Sequence, residues 1–222
     1  MTAGDISVLL VDDHAVVREG YRRLLERSPD IQVVGEAGNS ADAYQLLSRL
    51  RPAVVVMDIS LPDVSGIEAT RRMLAREPDV RVLVFSMHEE AVFAERAMQA
   101  GARGYITKAS APEILIDAVR AVARGEVFLS RDIAQTLALK NLRDDDATLK
   151  SLSAREFEIM RLLVSGQTLS AIAEKLGLSY KTVANYQSAI RQKTGAQTAV
   201  ELLRIAERGG VVTADGAGTP DQ

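Results

Sequence analysis

Cysteine is absent from all 222 residues. That excludes disulfides and thiolate metal sites, and a reducing cytoplasm is the expected setting. No apolar run approaches the length of a membrane span, and the N-terminus has no basic-then-apolar signal pattern, so no membrane partner is expected. Proline is scarce, and Pro52, Pro62, Pro78 and Pro112 all stand where one element gives way to the next. A Gly- or Ser/Thr-rich phosphate loop after the first apolar run is also missing; Asp12-Asp13-His14 stands there instead. Those carboxylates would repel a phosphate lacking a metal, which disfavours a flavin or nucleotide carrier.

What the chain does have is alternation. Short Val- and Ile-rich runs at 6–11, 31–36, 53–58, 80–86 and 104–108 read as buried strands. Helical patterns follow them at His14–Arg27, Ala41–Leu50, Gly66–Arg76, Glu89–Ala100 and Glu113–Arg124. Five such units imply a five-stranded, parallel, doubly wound α/β domain over residues 1–125. The stretch 126–148 breaks the alternation, with a short amphipathic helix at Ser130–Leu139 and a solvated tether at 141–146. Residues 149–212 are purely helical, and 213–222 lack apolar periodicity and are expected to be disordered. The net charge of −3 is unevenly spread, because 149–212 carries nine basic and five acidic side chains. A positive block in an acidic protein hints at nucleic-acid contact.

In an open parallel sheet, ligands bind beyond the carboxyl ends of the strands. Here those ends carry Asp12 and Asp13, Asp58, Ser86 and Lys108. Mg²⁺ prefers hard oxygen ligands, and the set suits it: Asp13 and Asp58 directly, the backbone carbonyl of Ser60, and Asp12 through water. Asp58 is then a nucleophile able to take a phosphoryl group as an acyl phosphate, with Lys108 and Ser86 supplying a cation and a donor. Taken singly, Asp12 or Asp13 reads more readily as a helix cap, and Lys108 as a solvated lysine; all of them on separate strand ends in this order are much harder to obtain by accident. An aspartyl-phosphate phosphohydrolase would place a second Asp two residues after the nucleophile; Ser60 stands there, which disfavours an enzyme acting on outside substrates.

Val11-Asp12-Asp13-His14, Met57-Asp58-Ile59-Ser60-Leu61-Pro62 followed by Gly66, Ser86, and Tyr105-Ile106-Thr107-Lys108 resemble a response-regulator receiver domain of two-component signalling. The resemblance implies a flavodoxin-like fold and a sensor histidine kinase as the phosphoryl donor to Asp58. It also implies a switch in which the Ser86 hydroxyl moves toward the phosphoryl group as the Tyr105 ring turns inward. Ser60 and His88 take the positions that tend to set the dephosphorylation rate in that family, His88 being either such a modulator or an exposed loop residue.

The helical part opens on Ser153 with Glu156 three residues on, a capping box. Gly166 closes that helix. A short helix at Leu169–Leu176 stops at Gly177, and Ser179 caps a longer one from Tyr180 to about Lys193. Two helices around a Gly-containing turn form a helix-turn-helix whose second member can enter the major groove of double-stranded DNA. Val183, Tyr186 and Ile190 form its apolar stripe; Lys181, Ala184, Asn185 and Ser188 form an open stripe without acids. Asn suits adenine and Ala a thymine methyl, while Lys181, Thr182, Arg191 and Lys193 are candidate phosphate contacts.

Leu152-Ser153-Ala154-Arg155-Glu156, Ile172-Ala173-Glu174-Lys175-Leu176, Ser179-Tyr180-Lys181-Thr182-Val183 and Lys193-Thr194-Gly195 resemble the LuxR-type helix-turn-helix. With the receiver, the chain is similar to NarL/FixJ-type response regulators. Val33–Ala37, Glu68–Arg72 and Ser130–Gln135 resemble the GacA/UvrY branch of that group. A single reading helix covers few base pairs, so a homodimer on phosphorylation is expected, with Tyr105, 113–124 and Ala199–Arg208 as candidate interfaces.

Overall fold

The structure is a computed structural model that describes residues 6–140, 149, 151–208 and 211. The tether at 141–146 and the tail at 213–222 lie outside the described residues. Two compact units divide at Leu139 and Lys140.

The first unit runs β1 (Ile6–Val11), α1 (Ala15–Leu25), β2 (Ile31–Ala37), α2 (Ser40–Leu50), β3 (Val54–Met57), α3 (Gly66–Arg76), β4 (Arg81–Ser86), α4 (Ala91–Gln99), β5 (Gly104–Thr107), α5 (Pro112–Ala123), β6 (Phe128–Leu129) and α6 (Arg131–Lys140). All strands pair in parallel, in the order β2-β1-β3-β4-β5-β6. β3 is central, and every one of its residues is buried, as a strand covered on both faces must be. α1 packs beside α5, whereas α2, α3 and α4 pack in succession. Val8, Leu10, Val54, Val56, Leu83 and Phe85 meet Leu25, Leu115, Val119 and Val122 in one core. Each such side chain contributes about 1.5–3 kcal/mol through burial.

Five strands fall where the apolar runs place them, but the sheet has six. β6 is two residues long, held by the Phe128 amide on the Arg103 carbonyl (3.0 Å) and the Ser130 amide on the Tyr105 carbonyl (3.2 Å). Two residues are too few for any alternation to appear. The helix expected between the domains is present as α6, and it belongs to the first unit. Ile133 is fully buried, and the Thr107 hydroxyl donates to Asp132 Oδ2 at 3.2 Å.

The second unit holds α7 (Ala154–Val164), α8 (Leu169–Lys175), α9 (Tyr180–Thr194) and α10 (Ala199–Arg208). Its core gathers Phe157, Met160, Ile172, Val183, Ile190 and Ala206. Ser153 and Glu156 form the expected reciprocal cap, the Glu156 amide on Ser153 Oγ and the Ser153 amide on Glu156 Oε2. α7 is buried on nearly every side, including Arg155 and Glu158, which pair at 2.8 Å. Arg155 also donates to the Leu176 carbonyl at the end of α8 (3.1 Å), so the pair fastens one helix end to another.

Candidate functional site

Sheet pairing continues one residue past two of the strands and sets up the first site. The Asp58 amide donates to the Val11 carbonyl and the Lys108 amide to the Ser86 carbonyl, both at 2.8 Å. The side chains of Asp12, Asp58 and Lys108 thereby converge. Lys108 Nζ donates to Asp12 Oδ2 at 2.5 Å and to Asp58 Oδ2 at 2.8 Å, and all three side chains are under one-tenth exposed.

A buried charge persists only where it is paired. Burial pulls the Lys108 ammonium toward neutrality, but the Asp58 and Asp12 carboxylates outweigh it and lift the group above the ordinary lysine value. Burial pushes the Asp58 carboxyl up, with Lys108 opposing and Asp12 adding to the rise. Asp12 and Asp58 therefore share a single ammonium, and Asp13, on the exposed rim, adds a third carboxylate. That surplus of hard-oxygen donors around one small volume fits a divalent cation of the magnesium kind.

Neither Asp12 nor Asp13 caps α1: His14 holds the cap position, and no side chain bonds there. Asp12 Oδ1 instead accepts the His14 amide (2.8 Å) and fixes the turn. Gly66 lets α3 begin against the Asp58 loop, since a Cβ there would lie 1.8 Å from the Asp58 carbonyl oxygen.

Ser86 and Tyr105, on paired strands, are both fully buried. The Tyr105 hydroxyl donates to the His88 carbonyl at 2.8 Å, and burial holds its pKa far above the ordinary tyrosine value, so it keeps that proton. His88 is not an exposed loop residue. Its ring stacks on Phe93 (centroids 4.0 Å apart), and Nε2 lies 3.4 Å from Ser60 Oγ. A pattern of polar residues after a strand carries no sign of such burial, because the partner ring comes from α4.

The second site is the open face of α9. Gly177, with φ +61°, makes the turn, and Ser179 caps α9 by accepting the Thr182 amide. Val183 and Ile190 are buried, Tyr186 is half-buried, and Lys181, Asn185, Ser188 and Arg191 are exposed. Ala184 and Thr182 are half-buried, the Thr182 hydroxyl lying 2.8 Å from Ser179 Oγ. The Ser188 hydroxyl donates to the Ala184 carbonyl (3.1 Å), leaving it acceptor capacity only. Lys193, also exposed, has its ammonium on buried Glu156 Oε2 at 2.6 Å.

Residues 8–120 match the response regulator receiver domain family, and residues 150–206 match the luxR family of bacterial regulatory proteins. The chain is 42% identical over 211 residues to the response regulator GacA of Pseudomonas aeruginosa, spanning 94% of this chain and 99% of that one. It is 40% identical over 212 residues to the response regulator UvrY of Escherichia coli strain K12, spanning 95% and 97%. The solved structure of two RcsB dimers bound to two parallel DNAs is similar at a TM-score of 0.59 and 25% identity, over 92% of this chain and 99% of that one.

Proposed function

Because the chain belongs to the two-component response regulators that join a receiver domain to a LuxR-type DNA-binding domain, in the GacA/UvrY branch, we propose that Asp58 is its phosphoryl acceptor. The observation that carries the assignment is the single ammonium of Lys108 on both Asp12 and Asp58, at 2.5 and 2.8 Å.

The donor is a phosphohistidine of a sensor histidine kinase. Asp58 Oδ attacks phosphorus, the phosphorus–nitrogen bond breaks, and the imidazole leaves with the electron pair. Such transfers depend mainly on placing cations and donors around the phosphoryl oxygens. Lys108 is positioned to follow the new negative charge, and Ser86 offers a hydroxyl from the neighbouring strand end. Mg²⁺ held by Asp13, Asp58 and the Ser60 carbonyl, with Asp12 through water, would supply counter-charge to those oxygens. The Tyr105 hydroxyl, bonded to the His88 carbonyl, ties the switch ring to the β4–α4 loop, so loop and ring move together.

The output is double-stranded DNA read by α9, with base contacts from Asn185, Ala184 and Ser188 and phosphate contacts from Lys181, Thr182, Arg191 and Lys193. The active species is a homodimer formed on phosphorylation. The protein carries the phosphoryl group and does not turn over outside substrates.

The test is intact mass after incubation with Mg²⁺ and a small phosphodonor. Wild type should gain one phosphoryl group and Asp58→Asn none; labelling of Asp58→Asn at wild-type yield would refute the assignment.

A further inference from the structure

We infer that Tyr180 reads a thymine: its ring, exposed at the head of α9, packs on the 5-methyl group of that base in the major groove. The inference rests on the reading of DNA by α9 given above and adds a residue and a base to it. Tyr180 is 57% exposed, whereas the other aromatic of the helix, Tyr186, is half-buried. A lone exposed ring is ordinary on a protein surface; the place of this one is not. Tyr180 is the first residue of α9, and the N-terminal residues of the second helix in a helix-turn-helix meet base edges. Ala184 lies one turn on along the same stripe, so ring and methyl form an apolar strip beside Lys181 and Asn185.

The rest of the first turn narrows what can be read there. Ser179 Oγ accepts the Thr182 amide at 3.1 Å and lies 2.8 Å from Thr182 Oγ1, so those two hydroxyls are engaged with each other and with the cap. Tyr180 and Lys181 are the exposed side chains of that turn. The partner has to be anionic, since α9 carries Lys181, Arg191 and Lys193 and no carboxylate. It also has to bring an apolar group to the ring. In the major groove that group is the thymine methyl, because the other bases show only donors and acceptors there.

The test uses the full chain, incubated with Mg²⁺ and the phosphodonor, and a duplex that the wild type selects from a random-sequence pool. Each thymine of that duplex is replaced in turn by deoxyuridine, which removes the methyl group and keeps every hydrogen-bonding edge and phosphate. At one thymine the wild type should lose about fourfold in affinity, as for about one buried CH₂ group, and Tyr180→Ala should lose nothing further there. Tyr180→Phe should behave as wild type, because the ring is kept. Uniform weakening by Tyr180→Phe with a lower salt slope would place the hydroxyl on a phosphate and overturn the inference. Deoxyuridine tolerated at every position, or a sensitivity that Tyr180→Ala leaves unchanged, would also overturn it while leaving DNA binding by α9 intact. Circular dichroism should show both variants folded; a Tyr180→Ala chain that fails to fold would make the ring part of the packing and sink the inference. Failure of the wild type to select any sequence overturns the DNA reading itself, and this inference with it.

Discussion

Lys193, near the end of α9, donates to Glu156 Oε2 at 2.6 Å across 37 residues of sequence, and that same oxygen accepts the Ser153 amide. One carboxylate oxygen thus joins the start of α7 to the end of α9. Lys193→Ala should destabilise the second unit by about 1.5–3 kcal/mol, the range for a hydrogen bond to a charged group. As a phosphate contact Lys193 should also carry part of the salt dependence of DNA binding, and its loss should lower the salt slope by about one. Thermal melts and salt titrations of the two proteins check both halves.

The same contact carries a pH dependence. Burial raises the Glu156 pKa, but Lys193 and the Ser153 bonds outweigh it and hold the carboxyl below its ordinary value of 4.5. A depressed folded-state pKa contributes stability that is present above the unfolded value and is lost as pH falls through the folded one. The stability gap between wild type and Lys193→Ala should therefore be full at neutral pH and shrink below pH 4.5. Denaturant melts at a series of pH values would show it, and a gap independent of pH would count against the ion pair.

Asn185 and Arg191 are both exposed on α9, yet they should fail differently when replaced. Losing a base contact costs about 1–3 kcal/mol at one position, whereas losing a phosphate contact weakens all sequences and lowers the salt slope by about one. Asn185→Ala should relax preference at a single base pair, and Arg191→Ala should weaken the whole panel. Binding to single-base variants of the site at two salt concentrations separates the outcomes. Equal weakening everywhere by Asn185→Ala would move the reading role to Ser188.

Gly66→Ala introduces a Cβ 1.8 Å from the Asp58 carbonyl oxygen, and the neighbour is backbone that cannot swing aside. The expected cost is about 3 kcal/mol or more, together with slower phosphorylation as the acceptor loop is displaced. A chemical-denaturation midpoint near wild type would contradict this packing.

Phosphorylation should convert monomer to dimer. Sedimentation with and without a phosphoryl mimic, on and off DNA, reads this directly, and a monomer under all four conditions would contradict it.

The parts legible in the sequence share one property: their signal is local. β1 spans Ile6–Val11 and α3 spans Gly66–Arg76 as the patterns place them. An apolar run has two ends, and α3 begins on its capping Ser65. Asp12, Asp58 and Lys108 could be brought together because strand ends in a parallel sheet lie along one edge. The capping box at Ser153 was legible because both partners sit within four residues. The parts that escaped depend on distant partners. Nothing near Lys193 announces Glu156, nothing near His88 announces the hydroxyl of Ser60, and β6 takes its identity from Arg103 and Tyr105.

The brevity of β6 bears on how copies of this protein can meet. A sheet that ends on two residues offers a neighbouring chain almost no ladder to extend, and short edge strands blunt strand-to-strand association. At the opposite edge, the pairing of β1 with β2 slips register between Val8 and Leu9, an irregularity of the kind that twists an edge away from a template. Both edges of the sheet are thereby poor templates for cross-strand growth, which tends to run on into fibres.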